Sequence, residues 1–209
     1  MIGLLLDLDG VLWFSESAHK DAFKKALSKV LDNVSDLIDQ TWEFGESTEK
    51  YIERLLRLND VSFQQSNLDE LVATKRKFAS EIMDIPLNIP LIHSLVEVKA
   101  TGVLIGLVSA SSPSNVQKFL NNSNLHNFFD CVIDSSMTAT PKPDPSCYSL
   151  AMNQMGLAPH DCIVIEDSES GKKAATSAGV SQVLIFPTDF LDLQFTHTLI
   201  SAISRVHQE

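Results

Sequence analysis

Met1-Ile-Gly-Leu-Leu-Leu-Asp-Leu-Asp-Gly10 is the stretch on which the fold turns. Ile2 to Leu6 is an apolar run without alternation, the pattern of a strand buried on both faces in a parallel sheet. Two carboxylates follow, Asp7 and Asp9. Open parallel sheets bind their ligands outside the carboxyl ends of the strands. Residues two apart on an extended chain project to the same side, so both acids are expected to face one site. Like charges that close repel unless a cation or a proton mediates. Gly10 permits a tight turn or a close approach of the backbone to a ligand. Taken alone, Asp-x-Asp-Gly also fits a strand that ends in polar turn residues, so the rest of the chain has to decide.

The strand signal recurs in Val103–Val108, Cys131–Ile133, Cys162–Ile165 and Val183–Phe186. Helical patterns over about 89–99, 114–121, 146–155, 169–178 and the tail to about 206 alternate with these runs. Gly179 suits the end of the fourth helix. Such alternation predicts an α/β fold with a parallel sheet and helices on both faces. Residues 16–85 carry helix signals alone. A helix is expected from about Ala18, started by Ser15 or Ser17, with Ala22, Phe23, Ala26, Leu27, Val30 and Leu31 on its apolar stripe. Others are expected over 35–44, 47–58 and 66–84. Tyr51, Ile52, Leu55, Leu56 and Leu58 are the apolar positions of the second of these, and Leu68, Leu71, Val72, Phe78 and Ile82 those of the third. The expected organisation is a core of residues 1–15 and 86–209, with an all-helical domain, 16–85, inserted after the first strand.

Composition narrows the function. The 209 residues are 44% apolar and 21% charged, an ordinary globular balance. A formal net charge of −11 argues against a nucleic-acid surface, which needs clustered Lys and Arg. It is compatible with a small phosphorylated metabolite if a metal and one well-placed cation neutralise the phosphate locally. Cys131, Cys147 and Cys162 are odd in number and widely spaced, so no zinc site or disulfide framework is expected. No basic n-region precedes Asp7, and no run of about 18 apolar residues occurs, so neither a signal peptide nor a membrane span is expected. A cytoplasmic monomer without membrane or nucleic-acid partners is the expectation.

Four strand ends carry reactive residue types: Asp7 and Asp9; Ser109 with Ala110; Lys142, in the loop Pro141-Lys-Pro-Asp-Pro145 after the third strand; and Glu166 with Asp167. Each has a bland reading. Ser109 suits a turn, Lys142 a solvated surface charge, and Glu166-Asp167-Ser168 a helix start. A parallel sheet nonetheless puts all four ends on one edge, and together they have the parts for phosphoryl transfer. Asp7 and Asp167 offer hard oxygen ligands suited to Mg²⁺. A carboxylate can act as nucleophile and form an aspartyl-phosphate. Lys142, the Ser109 hydroxyl and the Ala110 N–H can neutralise the phosphoryl oxygens. Asp9 can protonate the leaving oxygen and later take a proton from water.

These residues, in Leu4-Leu-Leu-Asp-Leu-Asp-Gly-Val11, Leu107-Val-Ser109, Pro141-Lys-Pro-Asp-Pro145 and Ile165-Glu-Asp-Ser-Glu-Ser-Gly171, resemble the four motifs of the haloacid dehalogenase superfamily over nearly the whole chain. The resemblance implies a Rossmann-like core with an inserted helical cap that closes over the active site and excludes water. It implies Asp7 as nucleophile and Mg²⁺ ligand. Asp9 would be acid/base, binding Mg²⁺ through its main-chain oxygen. Ser109 and Lys142 would hold phosphate, Asp167 would be a metal ligand, and Glu166 would sit in or near the metal shell. Ser15, His19 and Gly45 match cap or hinge positions of the subgroup that includes β-phosphoglucomutase and many small-molecule phosphatases, which makes His19 and Gly45 substrate-binding candidates.

Departures from the mutase pattern favour hydrolysis. Phe44-Gly45 and Thr48 stand where the mutase has a Lys-Gly pair and an Arg, and Ser112 where it has a Lys. A second substrate phosphate would lose those cations. Phe14 replaces an Asp common in the subgroup. Asp9 argues against a true dehalogenase or a phosphonatase. The expected function is a Mg²⁺-dependent phosphomonoester hydrolase acting on a small metabolite such as a sugar phosphate. A phosphomutase, or a non-catalytic binding protein on the same fold, is the alternative.

Overall fold

The computed structural model describes residues 1–42, 46–82, 84–190 and 195–206. In chain order the elements begin with β1 (Gly3–Leu6), α1 (Glu16–Leu27), α2 (Val34–Thr41), α3 (Thr48–Leu58) and α4 (Gln65–Glu81). They continue with α5 (Ile89–Lys99), β2 (Leu104–Val108), α6 (Pro113–Ser123), β3 (Cys131–Ile133) and α7 (Ser146–Met155). The last are β4 (Cys162–Glu166), α8 (Glu169–Ser177), β5 (Gln182–Ile185) and α9 (Phe195–Val206). They divide into two compact units, Met1–Phe14 with Pro86–Glu209, and Ser15–Ile85.

The first unit is an α/β layer structure around one parallel sheet of order β3-β2-β1-β4-β5. Leu4, Leu5 and Leu6 of β1 and Ile163, Val164 and Ile165 of β4 are wholly inaccessible to solvent. Successive strand side chains point to opposite faces, so both faces of the sheet are covered, as the unbroken apolar runs require. On one face Leu5, Val108 and Val164 pack with Tyr148, Ala151 and Met152 of α7 and with Ala174 and Ala175 of α8. Elsewhere in the unit α5 packs on α9, which also reaches β4. Gly179, just beyond α8, has φ +92° and ends that helix where expected.

Sheet register positions the functional loops. Leu6 stands opposite Leu107 of β2 and Ile165 of β4. The next residues of the three strands, Asp7, Val108 and Glu166, are therefore level. The Asp7 N–H donates to the Ile165 carbonyl at 3.0 Å. The chain runs from β1 to β2 and out to β3, then returns to β4 on the other side of β1. The crevice beside the carboxyl end of β1 thus lies at a topological switch point.

The second unit is helical. Helix α1 packs on α2 and α4, and α3 on α4, around Phe23, Leu27, Ile38, Ile52, Leu55 and Leu68. Ser15 precedes α1 but makes no side-chain cap, whereas Ser47 caps α3 by accepting from the Lys50 N–H at 3.4 Å. Three expectations fail here. Helix α1 ends at Leu27, so Val30 lies beyond it and is exposed. Leu58 is 60% exposed; it sits in the last turn, about a quarter turn off the centre of the Tyr51, Ile52, Leu55, Leu56 stripe. The buried stripe of α4 is Leu68, Val72, Lys75 and Ala79, while Leu71, Phe78 and Ile82 are only half-buried. A lysine thus occupies a core position. No helix among the described residues is long and apolar enough to cross a membrane.

Candidate active site

Lys142 ties the loops of the α/β unit together. Its ammonium donates to Asp7 Oδ1 at 2.6 Å and to Glu166 Oε1 at 2.6 Å. It also reaches the Val108 carbonyl at 3.0 Å and the Tyr148 hydroxyl at 3.2 Å. One cation therefore meets groups from the ends of β1, β2 and β4 and from α7. The side chains of Lys142, Asp7 and Glu166 are 7%, 10% and 1% exposed, so these are pairs shielded from water.

Glu166 is fully engaged by the protein. Its Oε1 accepts from Lys142 and from the Tyr148 hydroxyl, the latter at 2.6 Å. Its Oε2 accepts from Ser168 Oγ at 3.1 Å and the Asp167 N–H at 3.3 Å. Ser168 in turn caps α8 by accepting from the Gly171 N–H at 3.0 Å. The helix-start reading of this segment is thus right for Ser168, while Glu166 turns inward. Two glycines make room for the acids. A Cβ on Gly171 would overlap the Glu166 carboxylate, and one on Gly10 would overlap Asp167 Oδ2. Gly10 also has φ +83°, a conformation that disfavours any side chain.

Carboxylate oxygens of Asp7, Glu166 and Asp167 lie within 4.8 Å of one another. Burial, together with Glu166 and Asp167, pushes the Asp7 carboxyl well above its usual range despite Lys142. Burial and then Glu166 raise Asp167 to about 7. Burial alone would lower Lys142, but Asp7 and Glu166 outweigh it and hold the ammonium well above its ordinary value. Three carboxyl groups thus crowd around one ammonium in a buried site built of hard oxygen donors. That donor set fits Mg²⁺. Asp7 and Asp167 are the carboxylates that could hold the ion. Glu166, its oxygens already taken by protein donors, would stand behind them.

Asp9 and Ser109 come together through a residue that sequence reasoning missed. Ser111 Oγ donates to Asp9 Oδ2 at 2.7 Å, and the Ser111 N–H donates to Ser109 Oγ at 2.9 Å. Ser109 is buried, and its own N–H continues the β2–β3 pairing to Ile133 at 2.9 Å. Because Ser109 Oγ accepts from Ser111, its hydroxyl proton remains available for donation. Ser109, Ala110 and Lys142 line a cavity of about 110 Å³ with Ser135, Thr138 and Cys147.

His19 belongs to the helical unit, where its Nδ1 lies 2.7 Å from Lys75 Nζ. Lys75 also sits over the Phe23 ring, 4.5 Å from its centroid. Gly45, like Phe44, lies outside the described residues.

The residues missed were Ser111, Tyr148 and Lys75. The Leu68, Val72, Lys75, Ala79 spacing placed Lys75 on a helical face and was a usable signal. Tyr148 and Ser111 had none, because their partners are 18 and 102 positions away.

Known proteins resemble the chain over most of its length. The β-phosphoglucomutase of Bacillus subtilis is 29% identical over 189 residues, covering 88% of this chain and 82% of that one. The fructose-1-phosphate phosphatase YqaB of Escherichia coli is 25% identical over 186 residues, covering 87% and 94%. A crystal structure of CbbY from Rhodobacter sphaeroides superposes with a TM-score of 0.73 at 23% identity, covering 88% of this chain and 87% of that one. The family model for haloacid dehalogenase-like hydrolases matches residues 3–179. With that match spanning β1 to β4, the helical insert and all four motif loops, the chain belongs to the haloacid dehalogenase-like hydrolases.

Proposed function

We propose that this hydrolase is a Mg²⁺-dependent phosphatase that removes the phosphoryl group from a small phosphorylated metabolite, a sugar phosphate in the first instance, through an aspartyl-phosphate on Asp7. The observation that carries the reading is Asp7 at the end of β1, 2.6 Å from Lys142 and clustered with Asp167. A buried carboxylate beside a cation and a second acid is suited to in-line attack on phosphorus.

The chain's own groups divide the work. An Asp7 carboxylate oxygen forms a bond to phosphorus as the ester P–O bond breaks. Asp9 gives its proton to the departing oxygen. Asp9, now a carboxylate, takes a proton from a water whose oxygen bonds to phosphorus as the Asp7–phosphorus link breaks, releasing inorganic phosphate. Lys142, the Ser109 hydroxyl and the Ala110 N–H balance charge on the phosphoryl oxygens. Glu166 and Tyr148 hold Lys142. When bound, Mg²⁺ supplies the positive charge that keeps Asp7 ionised beside two other acids and neutralises the phosphoryl group. His19 is the substrate-binding candidate of the helical unit, with Lys75 at its Nδ1. Gly45 keeps that role only by its place in the motif.

The relative that acts on fructose 1-phosphate supports the sugar-phosphate class. The β-phosphoglucomutase likeness supports a second reading, phosphoryl transfer between two positions of a sugar. Thr48 and Ser112, where that enzyme's pattern has cations, favour hydrolysis. A cytoplasmic monomer without nucleic-acid partners is proposed from the net charge of −11 and the widely spaced thiols. The test is phosphate release from a panel of sugar phosphates and p-nitrophenyl phosphate, with Mg²⁺ and with chelator. Net phosphate release that requires Mg²⁺ is expected. Isomerised product dependent on a sugar bisphosphate would replace it with the mutase reading. No turnover of any ester would leave a binding protein.

A further inference from the structure

Ser111 is held at three points. Its N–H is bonded to Ser109 Oγ at 2.9 Å, its carbonyl accepts from the Ser135 N–H at 3.0 Å, and its hydroxyl donates to Asp9 Oδ2 at 2.7 Å. The two main-chain bonds anchor the residue to the loops after β2 and β3. The third reaches the loop after β1. The bond to Ser111 fixes Asp9 Oδ2 relative to the loop that carries Ser109.

We propose that Ser111 is a positioning residue for Asp9: it grips Oδ2 and so ties the location of the Asp9 carboxyl to Ser109, the phosphate-holding serine. The inference rests on the reading of Asp9 as acid/base and adds a residue to it. Neither the resemblance nor the shared motif assigns Ser111 a role in the transfer of this proton. Its consequence is a specific kinetic pattern. Proton delivery matters most when the leaving group is a poor one, such as an alkoxide, and little for p-nitrophenolate.

Ser111→Ala keeps both main-chain bonds and removes only the hydroxyl, so the loop is expected to persist. In that variant kcat for an alkyl phosphate should fall about 10–30-fold, a fraction of the ordinary value of acid–base catalysis. KM should stay within about twofold. The single-turnover rate of p-nitrophenolate release should be nearly unchanged. Ser111→Thr should restore the alkyl phosphate rate. Ser111→Cys, which keeps the bulk but donates weakly, should repeat the selective loss even if the alanine variant folds poorly. Asp9→Asn, measured in parallel, should show the same selectivity with a larger loss. If Asp9→Asn is selective but Ser111→Ala loses nothing, or loses equally on both esters, the positioning role is wrong and the acid reading stands. If Asp9→Asn itself slows both esters alike, the acid reading fails and this inference fails with it.

Discussion

Lys142 in the α/β unit and Lys75 in the helical unit both withdraw an ammonium from water, by different chemistry. Lys142 sits between two carboxylates, each 2.6 Å away. Lys75 meets a ring nitrogen of His19 at 2.7 Å and the face of Phe23. The first arrangement is assembled across three strand ends by sheet register. The second follows from helical spacing, with His19 on α1 and Lys75 on α4. Charge matched by charge fixes a geometry tightly, and removing one member strands the other.

Substitutions can break that contrast. The largest effect is expected for Lys142→Met, which leaves Asp7 and Glu166 buried without their counter-charge. It should lower stability by about 3–5 kcal/mol, read by urea unfolding, and abolish phosphatase turnover. A variant as stable as wild type would mean that the two acids simply protonate at little cost.

Asp167→Asn sharpens the account through pH. An unfolded Asp titrates near 3.9, and folded Asp167 is raised to about 7 by burial and by Glu166. Between those values the folded metal-free protein binds more protons than the unfolded chain at this site, so stability falls as pH rises. Removing the acid removes that loss. The metal-free variant should therefore gain in Tm over wild type as pH goes from 5 to 8, while its response to added Mg²⁺ weakens. A difference between the two proteins that does not vary with pH would contradict the assignment.

Tyr148→Phe deletes the hydroxyl that Glu166 accepts at 2.6 Å. A loss of about 1–2 kcal/mol is expected, together with a lower kcat, because Glu166 then holds Lys142 less firmly. The smallest change is expected for Lys75→Met, about 0.5–2 kcal/mol from the lost cation–π contact, since the methionine replaces most of the apolar stem. If Lys75→Met costs as much as Lys142→Met, the contrast between the two lysines fails.

Much of this is legible in the sequence. Leu4-Leu-Leu6 and Cys162-Ile-Val-Ile165 have no polar face, so only a covered parallel sheet accommodates them. Once the strands are parallel, Asp7, Ser109, Lys142 and Asp167 fall on one edge by topology alone. Hydroxyl pairings were hidden, because Ser111 and Tyr148 find partners through the folded register and not through local spacing. Lys75 was missed for a different reason. Its helical face was readable, but lysine is so often solvated that Phe78 looked the better core residue. Burial of Lys75 depends on His19 and Phe23, which lie on another helix. Leu58 erred the other way, apolar by type but turned off the stripe at a helix end.

The central claim is covalent: Asp7 carries the phosphoryl group between two half-reactions. Rapid quench of the enzyme during turnover of a phosphomonoester in Mg²⁺, followed by peptide mapping, tests it directly. The account predicts a phosphate on the peptide containing Asp7, labile to hydroxylamine as an acyl phosphate is and missing from Asp7→Asn. Full turnover with phosphate on no peptide, or an Asp7→Asn enzyme that still releases phosphate at the wild-type rate, would contradict it.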